Sequence, residues 1–144
     1  MTHGESISKA RQQKLLSKMP ISPRKGSSRT GSIVECIFCD ILAGKVKANI
    51  IYEDERCVAL PDLHSQAPLH LLIIPREHIP SIADAQGEEI ISHLIHVANK
   101  LAQTEGISSR GYRLVVNCGP EGGQVVPHLH LHLLGGQRLG NRLG

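Results

Sequence analysis

The chain has 144 residues and an apolar fraction of 40%, enough for one domain with one compact core. With no Trp, one Phe and two Tyr, that core must come from Ile, Leu, Val and Ala, which argues against stacking platforms for single-stranded nucleic acid. The net charge of +3 is also local: seven of the 16 Lys and Arg precede Ser32 with only Glu5 opposing them, leaving nine against twelve Asp and Glu, a mildly acidic body that argues against nucleic-acid binding.

Residues 1–32 are rich in Ser, Lys, Arg and Gly and carry Pro20 and Pro23, so they read as a disordered basic extension ahead of a folded domain over 33–144. A solvated tail is the leading reading. An organellar transit peptide is the alternative, opposed by Glu5 and a weak helical pattern. No apolar run is long enough for a membrane span and no secretory signal is evident, so a soluble cytoplasmic chain is expected, with a nuclear location as an alternative and no membrane partner. Without a secretory context, Cys36, Cys39, Cys57 and Cys118 are expected to be reduced, metal-binding or buried.

Residues 36–43 predict a short helix, with Ile37, Phe38, Ile41 and Leu42 at helical spacing and Gly44 placed to end it. Strands are expected over 49–52 and 57–60, joined by the charged turn Glu53-Asp54-Glu55-Arg56, and over 69–74. Ser81 and Asp84 resemble a capping box for the main helix, expected over 84–103. Its broad apolar face holds Ile90, Ile91, Leu94, Ile95, Ala98, Leu101 and Ala102, and Gly106 closes it. A fourth strand over 112–117, a Gly-rich loop over 119–123 and a fifth strand over 128–134 complete an α+β chain: a mostly antiparallel five-stranded sheet with one long and one short helix.

The fifth strand carries the chemistry. Alternate side chains of a strand face opposite ways, so His128, His130 and His132 share one face while Leu129, Leu131 and Leu133 hold the other against the core. Imidazoles about 7 Å apart can grip phosphate or a metal, or let one act as nucleophile while its neighbours carry protons. One zinc could reach only one or two of them. Imidazole attacks phosphorus near neutral pH and the product hydrolyses readily. Upstream, Gly119, Gly122 and Gly123 can bring backbone N–H groups to phosphate oxygens, and Gln124 can add a side-chain donor.

The run His128-Leu129-His130-Leu131-His132-Leu133-Leu134 resembles the signature of the histidine triad (HIT) family. Further agreement lies in Cys36-Ile37-Phe38-Cys39, Ile51-Tyr52-Glu53-Asp54, Gln66-Ala67-Pro68, His70, Ile74-Pro75 with His78, Gly111-Tyr112-Arg113, Val116-Asn117, Gly122-Gly123-Gln124 and Leu134-Gly135-Gly136, which together look like the Hint branch over residues 35–138. The resemblance implies a HIT-like fold and a homodimeric purine nucleoside phosphoramidase, cleaving the P–N bond of adenosine 5′-phosphoramidates through an adenylylated histidine. On that basis His130 is the nucleophile, His128 and His132 orient it and contact phosphate, and His70 couples to the network. Asp62 takes the ribose hydroxyls, Leu63, Ile37, Phe38 and Ile41 form the base pocket, and Asn117, Gly123 and Gln124 line the phosphate side with His130 and His132. The branch often has Ser after its Gly-Gln pair, where it assists the leaving group; here Val125 offers only its backbone N–H. The chain also ends in Arg142-Leu143-Gly144 rather than the Trp-containing tail of animal relatives.

Cys36 and Cys39 have ligand spacing, and HIT relatives with this pair hold structural zinc with two histidines, for which His70 and His128 are the candidates. The alternative is a pair of reduced thiols or a redox-labile pair. Zinc ligation and proton transfer compete for His70 and His128. Cys57 is expected in the core and Cys118 in a turn, while His3, His64, His78, His93 and His96 are assigned surface roles. Two other functions fit the motifs: a dinucleoside polyphosphate hydrolase, disfavoured by the absence of a Gln-rich segment near the triad, and a zinc-stabilised AMP-binding protein with little turnover.

Overall fold

The computed structural model describes residues 36–143; the basic extension over 1–32, with His3, lies outside the described residues. Strands β1 (Tyr52–Glu53), β2 (Cys57–Pro61), β3 (Leu69–Pro75), β4 (Tyr112–Val115) and β5 (Leu131–Gly135) form one sheet in the order β1-β2-β3-β5-β4. Every neighbouring pair is antiparallel, and β5 is inserted between β3 and the edge strand β4. Helix α1 (Ile37–Leu42) precedes the sheet, and α2 (Glu89–Thr104) lies between β3 and β4. Among the described residues no helix is long and apolar enough to cross a membrane.

The two faces of the sheet bury different partners. On one, Ala59, Leu71, Ile73, Leu131 and Leu133 pack with Ile90, Leu94, Val97, Ala98 and Leu101 of α2. On the other, Val58, Leu60, Leu72 and Ile74 pack against Ile37, Phe38 and Ile41 of α1. The register places His132 opposite Leu72 and Val115, and Leu134 opposite His70 and Arg113, so these side chains continue the α1 face across β5 and β4. Alpha helix and histidines therefore divide one face between them.

Helix α2 starts later than the sequence pattern predicts. Ser81 Oγ accepts from the Ala83 N–H at 3.2 Å and donates to Asp84 at 2.8 Å, but this box closes a 3-10 turn, Ile82–Asp84. Gly87, at φ +82°, then turns the chain through left-handed backbone before α2 begins after Glu88. Ile95, expected on the apolar face, is exposed, and Val97 takes the buried place. At the far end Gly106 N–H bonds to Gln103 and Ile107 N–H to Ala102, at 3.1 and 3.0 Å, the paired closure typical of a glycine-ended helix.

Strand limits also move. β1 is two residues long, with Ile51 N–H still reaching the Ala59 carbonyl at 2.9 Å ahead of it, and β4 stops at Val115. β5 begins at Leu131, so His128 and His130 lie just before it. There the chain leaves the ladder, because Leu129 N–H donates to the Ile79 carbonyl at 2.6 Å.

Candidate functional site

Departure from the ladder leaves the alternation of side chains intact. Leu129, Leu131 and Leu133 are buried on the α2 side, while His128 and His130 are buried on the other and His132 is half-buried. The Phe38 ring of α1 meets the His128 and His130 rings edge-on, with centroids 5.7 and 5.2 Å apart, and His130 stands 5.1 Å from His132. Ile37, Phe38 and Ile41 are core residues as well as the wall beside the histidines.

Hydrogen bonds to groups of fixed polarity assign the ring protons. His130 Nδ1 lies 2.7 Å from the His128 carbonyl, which can only accept, so Nδ1 carries the proton and Nε2 keeps a bare lone pair. The Gln66 N–H donates to His70 Nδ1 at 2.9 Å, so the His70 proton sits on Nε2, 2.9 Å from His132 Nδ1. His132 Nδ1 accepts it, which leaves its own proton on Nε2. Asp62 Oδ2 stands 3.3 Å from His70 Nε2 and 3.8 Å from His132 Nδ1, while Oδ1 accepts the His64 N–H at 2.7 Å. The result is a relay from Gln66 through His70 to His132, with a carboxylate alongside. Leu63 follows Asp62 and is half-buried.

Burial holds these rings neutral. It lowers the pKa of His130, against the opposing pull of its bond to His128 and of Asp62. His132 falls to about 4 through burial and the neighbouring His130 and His70, and His70 is lowered by burial against Asp62. At neutral pH the unprotonated His130 is the dominant form.

His128 faces a different cluster. Its Nε2–H donates to the Pro75 carbonyl at 2.9 Å, so the Nδ1 lone pair points to Cys36 Sγ at 3.3 Å, Cys39 Sγ at 3.6 Å and His78 Nδ1 at 3.1 Å. Cys39 Sγ is 3.2 Å from His78 Nδ1. The edges of a tetrahedral zinc site with nitrogen and sulfur ligands are about 3.3–3.8 Å, and all four donor atoms lie within 4.8 Å of one another. Cys36, Cys39, His78 and His128 could thus hold one metal ion, consistent with zinc. Burial pushes the Cys36 thiol up to about 12, with Cys39 beside it adding to the rise against bonds from backbone N–H groups. A cation would reverse that preference.

The arrangement corrects two expectations. His78, assigned to the surface, takes the place beside the cysteines for which His70 was named. His70, on β3 and on the same sheet face, is committed instead to His132 at 2.9 Å. The competition between ligation and proton transfer is divided: His128 faces the cysteines and His70 serves the relay. The one local hint of His78 was its place just after Ile74-Pro75, where β3 ends.

The Gly-rich loop is clamped by Gln124. Its Oε1 accepts from Gly119 N–H at 2.9 Å and its Nε2 donates to the carbonyls of Pro80 at 2.7 Å and Val126 at 3.0 Å. Both amide protons are engaged, so the expected phosphate donor is a loop brace. Asn117 Nδ2 donates to the Gly122 carbonyl at 2.8 Å, leaving its second proton for other use. A Cβ on Gly122 would fall 2.3 Å from the Cys118 carbonyl oxygen, and Gly123 has φ +82°, so the turn excludes side chains at both. Val125 is 72% exposed beside the loop. His93, also assigned to the surface, donates from Nε2 to Asp54 Oδ2 at 2.8 Å and ties α2 to the β1–β2 turn. Cys57 is fully buried and Cys118 is exposed.

One antiparallel sheet, holding a buried histidine with a bare ring nitrogen between a histidine relay and a thiol–imidazole cluster, defines a histidine-centred α+β domain. Residues 43–139 match the family model described as HIT domain, and the chain belongs to that family. It is 44% identical over 111 residues to the purine nucleoside phosphoramidase of Escherichia coli (strain K12), covering 76% of this chain and 93% of that protein. Among solved structures, a HIT family hydrolase from Legionella pneumophila Philadelphia 1 is similar with a TM-score of 0.73 and 46% identity, covering 76% of this chain and 99% of that one. A Zn-bound histidine triad family protein from Mycobacterium smegmatis is similar with a TM-score of 0.66 and 30% identity, covering 76% and 79%.

Proposed function

We propose that the protein hydrolyses the P–N bond of purine nucleoside 5′-phosphoramidates through an adenylylated His130. The observation that carries the reading is the 2.7 Å bond from His130 Nδ1 to the His128 carbonyl, which leaves Nε2 unprotonated in a buried ring. The Nε2 lone pair forms a bond to the α-phosphorus as the P–N bond breaks. The departing amine keeps the electron pair and takes a proton, for which His132 Nε2–H, backed by His70 and Asp62, is the nearest assigned donor. Water then attacks phosphorus: its oxygen joins AMP, the phosphorus–histidine bond breaks and restores His130, and its proton returns to His132. The free Asn117 proton is suited to a phosphate oxygen, whereas the Gly119, Gly122 and Gly123 N–H groups are already taken by Gln124 and by carbonyls of the loop itself. Asp62 and Leu63, with Ile37, Phe38 and Ile41, form the nucleoside side of this reading.

Zinc at Cys36, Cys39, His78 and His128 is part of the same proposal, in a structural role. When bound it would fix the His128 ring, and with it the backbone carbonyl that orients His130. Pairing of two copies belongs to the reading too, since β4 ends the sheet with an unpaired edge among the described residues.

Intact-protein mass spectrometry after acid quench, with a fluorogenic adenosine phosphoramidate, tests the chemistry. A transient gain of one AMP in the native chain, absent from His130→Gly, is the expected result. Neither adduct nor released amine, with AMP binding confirmed, would leave a nucleotide-binding module instead.

A further inference from the structure

Zinc is not the only chemistry open to the cluster of Cys36, Cys39, His78 and His128. Cys36 caps α1, and Cys39 stands three residues on in the first helical turn, where its N–H donates to Cys36 Sγ at 3.3 Å. Both sulfurs turn to the same nitrogen, His128 Nδ1, at 3.3 and 3.6 Å, and lie within 4.8 Å of each other. Residues three apart in a helical turn have Cα atoms about 5 Å apart, inside the roughly 4.4–6.8 Å that a disulfide spans. Closing the pair to an S–S bond of about 2.05 Å therefore asks for side-chain rotation and not for a shift of the sheet.

Exposure divides the labour between the two thiols. Cys39 is half-buried and Cys36 is 2% exposed, so a small neutral oxidant meets Cys39 first and Cys36 stands behind it as the resolving thiol. The other cysteines are outside the cluster, Cys57 fully buried and Cys118 exposed.

We propose that Cys36 and Cys39 are a peroxide-sensitive dithiol that closes into an intramolecular disulfide and, in closing, releases zinc from the cluster. In the metal-free chain Cys39 Sγ attacks one oxygen of hydrogen peroxide. The O–O bond breaks, the second oxygen leaves as water with the thiol proton, and Cys39 becomes a sulfenic acid. Cys36 Sγ then attacks the Cys39 sulfur and expels the hydroxyl as a second water with its own proton. Two thiols lose two electrons to one peroxide. In the zinc-loaded chain the sulfurs start as thiolates, so solvent supplies the two protons. A bridged pair offers the ion no thiolate, and His78 and His128 are left as two donors where a closed site needs four. His128 keeps its bond to the Pro75 carbonyl but loses both sulfur partners of Nδ1. The release rests on the zinc reading and is independent of P–N cleavage.

The test uses the full chain carrying Cys118→Ser, reduced, with and without one equivalent of zinc, and treated with hydrogen peroxide. Thiols are then alkylated under denaturing conditions for intact mass and peptide mapping, while a chromophoric chelator reads free zinc. The expected product has lost two hydrogen atoms, carries a Cys36–Cys39 bridge within one chain, and frees one zinc ion for each bridge; dithiothreitol reverses both changes. In Cys39→Ser no bridge should form and Cys36 should stay open to alkylation. Added oxygen on either sulfur without a bridge, a bridge between chains, or zinc retained by the bridged chain overturns the inference and leaves the zinc reading standing. A reduced chain that takes up no zinc overturns the zinc reading and the release with it.

Discussion

Replacing Asp54 by Ala should destabilise the domain by about 3 kcal/mol, because one carboxylate closes the β1–β2 turn and anchors α2 to it. Oδ1 accepts the backbone N–H groups of Arg56 at 2.7 Å and Cys57 at 2.8 Å, and Oδ2 accepts the Tyr52 hydroxyl at 2.7 Å and His93 Nε2–H at 2.8 Å. Burial alone would raise this carboxyl, yet those four bonds hold it well below the usual carboxylate range. Hydrogen bonds to a charged group contribute about 1.5–3 kcal/mol each, and an orphaned buried donor costs about 1–3 kcal/mol. Arg56 is exposed and His93 half-exposed, so both regain water in the variant; Cys57 is fully buried and its N–H does not. The buried Cys57 N–H therefore dominates, and half-buried Tyr52 regains water in part, as His93 does. At about 4 °C per kcal/mol for a domain near this size, Tm should drop by about 12 °C. Asp54→Asn retains the Oδ1 acceptor and should cost only about 1–1.5 kcal/mol. Urea unfolding followed by far-UV circular dichroism gives both values. A loss under about 1 kcal/mol for Ala, or equal losses for Ala and Asn, would refute the assignment of stability to this carboxylate.

Two further outcomes follow from the histidines. Burial holds His128 and His132 at about 4, below the ordinary value of 6.5, so the unfolded chain binds more protons between those limits. Their contribution is fully present above pH 6.5 and is lost as pH falls towards 4, a decline on the order of a few kcal/mol in metal-free protein; denaturation midpoints that stay flat across that window would contradict it. For the cysteine cluster, metal analysis after dialysis against zinc should find one equivalent in the native chain and in His70→Ala but none in His78→Ala. At zinc about 100-fold above its dissociation constant, binding adds about 2.7 kcal/mol to stability, which thermal melts with and without a chelator would register. Retention of zinc by His78→Ala and its loss from His70→Ala would reverse the assignment.

The histidine alternation was legible because it is local: residues two apart in extended chain share a face whether or not the backbone is laddered, so Leu129 and His130 separate correctly even outside β5. Strand number and the two helices followed from patterns of the same range. What escaped the sequence depends on distant partners. Gln124 reads as a phosphate donor until the Pro80 carbonyl, 44 residues away, claims its amide. His93 reads as a surface residue because Asp54 is 39 residues distant. His70 reads as the partner of the cysteines, and His78 as a surface residue, until the register of β3 commits His70 to His132. The start of α2 was missed for a local reason, since a cap pattern does not state how long the structure it closes will be and Gly87 ends the matter six residues after Ser81.

The split between the two sheet faces has a consequence for modifying the protein. The core against α2 runs under all of β2, β3 and β5 without using a single side chain from the histidine face. Residues on the open half of that face, among them Arg113 and Val115, can therefore be varied as a set while the fold is carried from behind. A collection of variants randomised there should contain mostly soluble, folded members, and screening it would report on activity with little interference from loss of structure.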